Sequence, residues 1–143
     1  MKHLVGDRNG QLEALKGKET WDVVIDNPTT YPRWVRTAGE VLQGRTDQYI
    51  FISTLSVYDK WNVANMDELA PLATMPDPAV EEPRFYGAMK ALAEEEAEKW
   101  YAGKVTVIRP GLIVGPGDET DRFTYWPVRI ARGGEVLAPP PAD

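Results

Sequence analysis

The chain of 143 residues contains no cysteine, which excludes disulfides and thiolate metal sites. A single histidine, His3, leaves no His-rich metal cluster, and ahead of the first strand-like segment it reads as a surface or packing residue, not a general base. No apolar run approaches the roughly 18 residues of a membrane span, and no charged-then-apolar signal peptide opens the chain. Asn27-Pro28-Thr29 fails as a glycosylation acceptor because proline occupies its middle position. Cations are also short: 16 Lys and Arg stand against 22 Asp and Glu, a net charge of -6. That balance argues against a surface for a phosphate backbone, which needs clustered Lys and Arg. These absences lead to the expectation of a cytoplasmic protein whose partner is a small molecule, with no nucleic acid and no membrane.

What is present has the composition of an ordinary single domain, 43% hydrophobic and 27% charged, and is long enough to bury a core. Three short apolar runs, Val23 to Ile25, Tyr49 to Ile52 and Val105 to Ile108, are rich in β-branched residues and separated by longer helical stretches. Their continuous apolar character predicts strands buried on both faces in a parallel α/β sheet. Pro32 to Gln43 predicts a helix with proline in its first turn, Val35, Val41 and Leu42 as its apolar residues and Gly44 as its stop. A second helix is predicted from Pro83 to Tyr101, with Gly103 beyond it. Leu92, Ala93, Ala97 and Trp100 form its buried stripe, and Glu94, Glu95, Glu96 and Glu98 a solvated face with no metal role. Residues 60–82, with Pro71, Pro76 and Pro78, are too long for a plain connector and read as a substrate-covering loop.

The second helix carries Tyr86 and Lys90. Four residues is about one turn, so the hydroxyl and the ammonium share a face. A positive charge nearby favours the phenolate, which suits a Tyr to proton exchange near neutral pH. The same spacing also arises where a Lys merely snorkels past an aromatic ring.

Upstream of this pair, Phe51-Ile52-Ser53-Thr54-Leu55-Ser56-Val57-Tyr58 ends an apolar strand in a hydroxyl cluster. Downstream follows Val107-Ile108-Arg109-Pro110-Gly111-Leu112-Ile113-Val114-Gly115-Pro116. That order resembles the extended short-chain dehydrogenase/reductases, the nicotinamide-dependent epimerase and dehydratase family. Leu4-Val5-Gly6-Asp7-Arg8 looks like the family's third strand and the acidic turn beside the adenine, and Trp21 to Asp26 like its fourth strand. Thr29 to Arg33 and Asp121 to Pro127 are most similar to the isoflavone-reductase-like and chloroplast stem-loop-binding-like branch.

The resemblance implies an NAD- or NADP-dependent oxidoreductase or epimerase acting at a hydroxyl or carbonyl carbon. It makes Tyr86 the general acid or base and Lys90 the residue that bonds the nicotinamide ribose and holds the Tyr pKa down. Thr54, preferred over Ser53, bonds the substrate oxygen, and Ser53 lies beside the cofactor. Asp7 and Arg8 lie at the adenine, although an Asp after Gly is equally a turn residue. Asn27, Pro28 and Thr29 pass the pyrophosphate and ribose, Pro110 and Gly111 meet the nicotinamide, and Arg109 anchors structure. No metal is implied.

Two departures qualify the likeness. Leu112 stands near where nucleotide-sugar enzymes of the family often carry Asn, which makes epimerisation of a sugar nucleotide less expected. The first helix offers Arg33 and Arg36 where many relatives place a proton-relay Asn. A Gly-rich dinucleotide fingerprint is absent, and Gly111, Gly115 and Gly117 do not replace it because Asp118 and Glu119 follow them. The expected fold over 1–143 is therefore a partial Rossmann-like, doubly wound parallel sheet lacking the first two strands and the Gly-rich turn. Gly134 to Ala138 reads as a strand running into prolines, and residues 117–143 as the start of a substrate-binding part. Two further expectations are a homodimer formed at an exposed strand edge and, as an alternative to catalysis, a silent fragment unable to hold the dinucleotide by itself.

Overall fold

A computed structural model describes residues 3–28, 30–60 and 63–137. They fall into two units, one ending at Pro110 and the other beginning at Gly111. The first unit is an α/β layer built on three strands, β1 (Trp21–Asp26), β2 (Thr46–Ile52) and β3 (Val105–Ile108), which form an open, all-parallel sheet in the order β1-β2-β3. Val24 lies opposite Tyr49 and Tyr49 opposite Val105; one pleat on, Asp26, Phe51 and Val107 line up in the same way. The three strands follow the three apolar runs, β3 residue for residue.

Two helices cover one face of this sheet. The α1 helix (Pro32–Leu42) joins β1 to β2. It starts on a proline, whose missing N–H has no partner in a first turn anyway, and gives way to Gly44 at φ 73°. The α2 helix (Tyr86–Trp100) joins β2 to β3 and is closed by Gly103 at φ 72°. Pro83 to Phe85 form a separate 3-10 turn, so the α-helix begins three residues later than the pattern predicted. The cause is local: Phe85 N–H bonds to Glu82 O and Phe85 leaves helical backbone geometry.

Between helices and sheet lies a core of Val35, Leu42, Tyr49, Phe51, Ala93, Ala97 and Tyr101. The Tyr49 and Tyr101 rings stack with centroids 4.0 Å apart, and burial of a side chain such as Phe51 contributes about 1.5–3 kcal/mol. The helices approach closely because Gly39 of α1 faces the Trp100 ring, where a Cβ would have no room.

Burial of the strands on both faces is not what forms. Burial alternates along β3, and on the side away from the helices Val23, Ile25 and Ile108 are exposed, Ile25 to 68%. The uninterrupted apolar runs reflect β propensity on an open face as much as burial. Leu4 to Arg8 also departs from expectation. It makes a turn closed by an isolated bridge between Asp7 and Gln11, with no strand beside β1.

The long connection after β2 is tied down. Ala73 N–H bonds Val57 O at 2.7 Å, Asp59 N–H bonds Pro71 O at 3.0 Å, and Met75 is buried with Ala88 and Met89 of α2. Among the described residues the second unit holds one short helix, α3 (Tyr125–Ala131). The strand expected from Gly134 is not formed over 134–137. Gly133 and Gly134 both take positive φ, 68° and 78°, and turn the chain instead; Ala138 and the prolines lie outside the described residues. Among the described residues no helix is long and apolar enough to cross a membrane.

Candidate active site

At its carboxyl end β2 runs into Ser53 and Thr54 and then a single 3-10 turn, Leu55–Val57. The Thr54 hydroxyl caps that turn by accepting the Ser56 N–H at 3.2 Å, and Leu55 N–H reaches Pro110 O at 2.9 Å, joining the turn to the end of β3. The first turn of α2 rests on the same loop, Gly87 against the Ser56 carbonyl. Thr54, Tyr86 and Lys90 are thus brought to the carboxyl edge of a parallel sheet, where ligands of open α/β sheets bind.

Lys90 lies inward from this edge and is only 2% exposed. Its ammonium donates to Ile52 O at 2.7 Å and Pro28 O at 3.0 Å, and sits 4.5 Å from the centre of the Phe51 ring. Three N–H donors less two bonds leaves one to offer. Burial pushes its pKa down to about 8, against the upward pull of Asp26 and Glu94, with Arg8 adding to the depression. At neutral pH it keeps its proton. Tyr86 opens α2 and is 40% exposed, and its hydroxyl makes no hydrogen bond among the described residues, which leaves it free for a ligand.

The other expected residues have other engagements. Ser53 is buried and its hydroxyl donates to Glu94, which removes it from the open edge. Glu94 corrects the expected solvated face: it is 5% exposed and held by Arg109, Nε to Oε1 at 3.0 Å and Nη2 to Oε2 at 2.7 Å. Arg109 also reaches the Tyr58 hydroxyl at 3.0 Å and Glu68 O at 3.1 Å; its bond to Glu94 raises its pKa and keeps it charged. Arg109 is the structural anchor the sequence suggested.

Asp7 is exposed and its carboxylate accepts Asn9 N–H at 2.7 Å, the geometry of a turn residue. The Arg8 guanidinium is paired with Asp26. Asn27 is exposed, Pro28 is buried with its carbonyl on Lys90, and Thr29 lies outside the described residues. The Pro110 carbonyl is occupied by Leu55, and Gly111 is exposed at the start of the second unit.

Asp26, at the end of β1, escaped the sequence reading. It is 3% exposed and accepts hydrogen bonds from Arg8 and from the Tyr49 hydroxyl. Burial, then the negative charge of Asp26, drives the Tyr49 pKa far upward. An acidic residue ending an otherwise apolar run, Val23-Val24-Ile25-Asp26, was the available signal. Asp26 and Arg8 border a cavity of about 380 Å³ on the flank of β1, walled by apolar residues such as Leu12, Leu42 and Trp21. Neither Tyr86, Lys90 nor Thr54 lines it, so this cavity and the hydroxyl-ammonium edge are separate places.

A dinucleotide fits this edge in part. Lys90 has an N–H for a ribose hydroxyl and Tyr86 stands one turn before it on α2, while the Thr54 hydroxyl accepts Ser56 N–H and donates to Ser56 Oγ at 3.3 Å. The diphosphate has no cradle among the described residues: α1 begins on Pro32, which has no N–H, and the Arg33 N–H is occupied by Glu81 at 2.9 Å. No cluster of metal-ligating side chains occurs among the described residues. No family model, curated protein or solved structure matches the chain.

Proposed function

We propose that the carboxyl edge of this sheet is the acid-base end of an NAD- or NADP-dependent oxidoreductase or epimerase acting on a hydroxyl or carbonyl carbon of a small molecule. What carries the reading is the seating of Lys90 on the Ile52 and Pro28 carbonyls while Tyr86, one turn before it on α2, keeps a free hydroxyl and its neighbour Gly87 rests on the Thr54 loop. The three-stranded parallel sheet with helices in its crossovers fits part of a Rossmann-like fold.

In this reading Tyr86 exchanges a proton with the substrate oxygen and the Thr54 hydroxyl orients that oxygen. Lys90 would also hold the nicotinamide ribose through its remaining N–H. When bound, NAD or NADP supplies the redox chemistry at its nicotinamide ring, and the chain's own work is to orient the substrate and move a proton. Tyr86→Phe is expected to lose turnover at least 100-fold with cofactor affinity unchanged, since general acid-base groups contribute typically 10²–10⁴-fold. Equal turnover in the variant would remove Tyr86 from the mechanism.

A second reading is favoured by the missing diphosphate cradle: the chain by itself does not hold the dinucleotide and is catalytically silent. Calorimetric titration with NADH and NADPH separates the two. Saturable binding removes the silent reading, and heat indistinguishable from dilution at millimolar cofactor supports it.

A further inference from the structure

The α2 helix begins Tyr86-Gly87-Ala88, and its first turn meets a piece of main chain, not a side chain. A Cβ at Gly87 would lie well inside 3.0 Å of the Ser56 carbonyl oxygen, a distance that real Cβ atoms essentially never show. Ser56 belongs to the 3-10 turn capped by Thr54, and Leu55 N–H ties that turn to Pro110 at the end of β3. The obstacle is therefore backbone pinned from two sides, and it cannot swing away as a side-chain tip would. Lys90, one turn further along α2, reaches the carbonyls of Ile52 and Pro28 only while the helix lies this close to the strand ends.

The geometry points to Gly87 as a positioning residue: the absence of a side chain there sets how deeply α2 is seated against the Thr54 loop, and so places Tyr86 and Lys90 at the sheet edge. Its value to a catalytic pair rests on the oxidoreductase reading; the seating itself does not. A purely local role for Gly87 predicts the opposite of a seating role. Alanine is the better helix former, so if nothing opposed it Gly87→Ala would stabilise α2 and leave Lys90 where it is.

The test follows the side-chain resonances of Lys90 by NMR through a pH titration of the full chain, alongside helix content and urea unfolding. Around Lys90 stand Asp26 of β1, Glu94 of α2 and Arg8 of the N-terminal segment, none of which Gly87→Ala alters. In the parent chain burial pushes Lys90 down, and its titration is expected near 8. Gly87→Ala is expected to keep its helices but to raise that value by more than one unit, as the ammonium is lifted from its carbonyls toward water. Gly17→Ala, at an open position, is expected to change nothing. An unchanged Lys90 titration in a folded Gly87→Ala chain overturns the inference.

Should Gly87→Ala fail to fold, the double variant Gly87→Ala with Lys90→Met decides. Recovery of folding supports the inference, because the group that demands the close seat is gone; continued failure overturns it, because Gly87 then serves packing whether or not Lys90 is there. Cofactor titration is a separate readout. A chain that binds no NADH but shows the Lys90 shift sinks the oxidoreductase reading alone.

Discussion

Lys90 and Glu94 sit one turn apart on the buried side of α2, and their surroundings differ in kind. Glu94 meets a full opposite charge: Arg109 grips both of its oxygens and Ser53 donates a further hydrogen bond. Lys90 meets neutral dipoles, the carbonyls of Ile52 and Pro28, and the face of Phe51; Asp26 and Glu94 act on it without a salt bridge. The guanidinium beside Glu94 is consequently held charged, whereas the ammonium is pushed down to about 8. Neighbouring burial thus yields two different devices. A paired ion locks β2, α2 and β3 together, while an ammonium held only by dipoles keeps its proton loosely enough to respond near neutral pH.

Removing the pair's cation breaks this comparison most severely. Arg109→Ala leaves Glu94 buried with only the Ser53 hydroxyl and is expected to destabilise the chain by about 3–5 kcal/mol, read as a fall in the urea midpoint. A loss below about 1 kcal/mol would mean that water replaces Arg109 freely.

Lys90 sharpens the comparison through pH. Its folded pKa lies below its unfolded value, so between about 8 and 10.5 the unfolded chain still holds a Lys90 proton that the folded one has lost, and Lys90 by itself makes stability rise with pH. The gain from pH 8 to 10 is expected to be about 2 kcal/mol, and Lys90→Met is expected to flatten it. Above pH 10 the sign reverses. Burial raises Tyr49 and Tyr101 in the folded state, so the unfolded chain loses protons first and stability falls. A parent profile already flat between pH 8 and 10 would show that Lys90 is well solvated. The smallest effect is expected on the uncovered face of the sheet, where Ile25→Lys should change stability by less than about 0.5 kcal/mol in urea unfolding.

Much of the fold was legible because its signals are local. The apolar runs located all three strands, Pro32 and Gly44 bracketed α1, and Gly103 marked the close of α2. The four-residue spacing placed Tyr86 and Lys90 on one helix, and the end of the apolar run placed Thr54 just beyond a strand. Glu94 was misplaced because a run of glutamates looks solvated, yet helical phase held the answer: Lys90, Ala93, Glu94, Ala97 and Tyr101 fall on one stripe, and all are buried. The acidic end of its apolar run marked Asp26, but not the cluster around it. Its partners Arg8 and Tyr49 lie 18 and 23 residues away, and no local pattern joins them. The exposed side of the sheet was equally hidden, since an apolar run does not say which of its two faces a helix will cover.

The most direct measurement is the pH titration of Lys90 in the unmodified chain, followed through its side-chain resonances. A midpoint near 8 is the predicted result and establishes a buried ammonium held by carbonyls at the sheet edge. A midpoint at or above ~10.4, the value of a free lysine, would contradict the seating of α2 and the proposed acid-base pair with it.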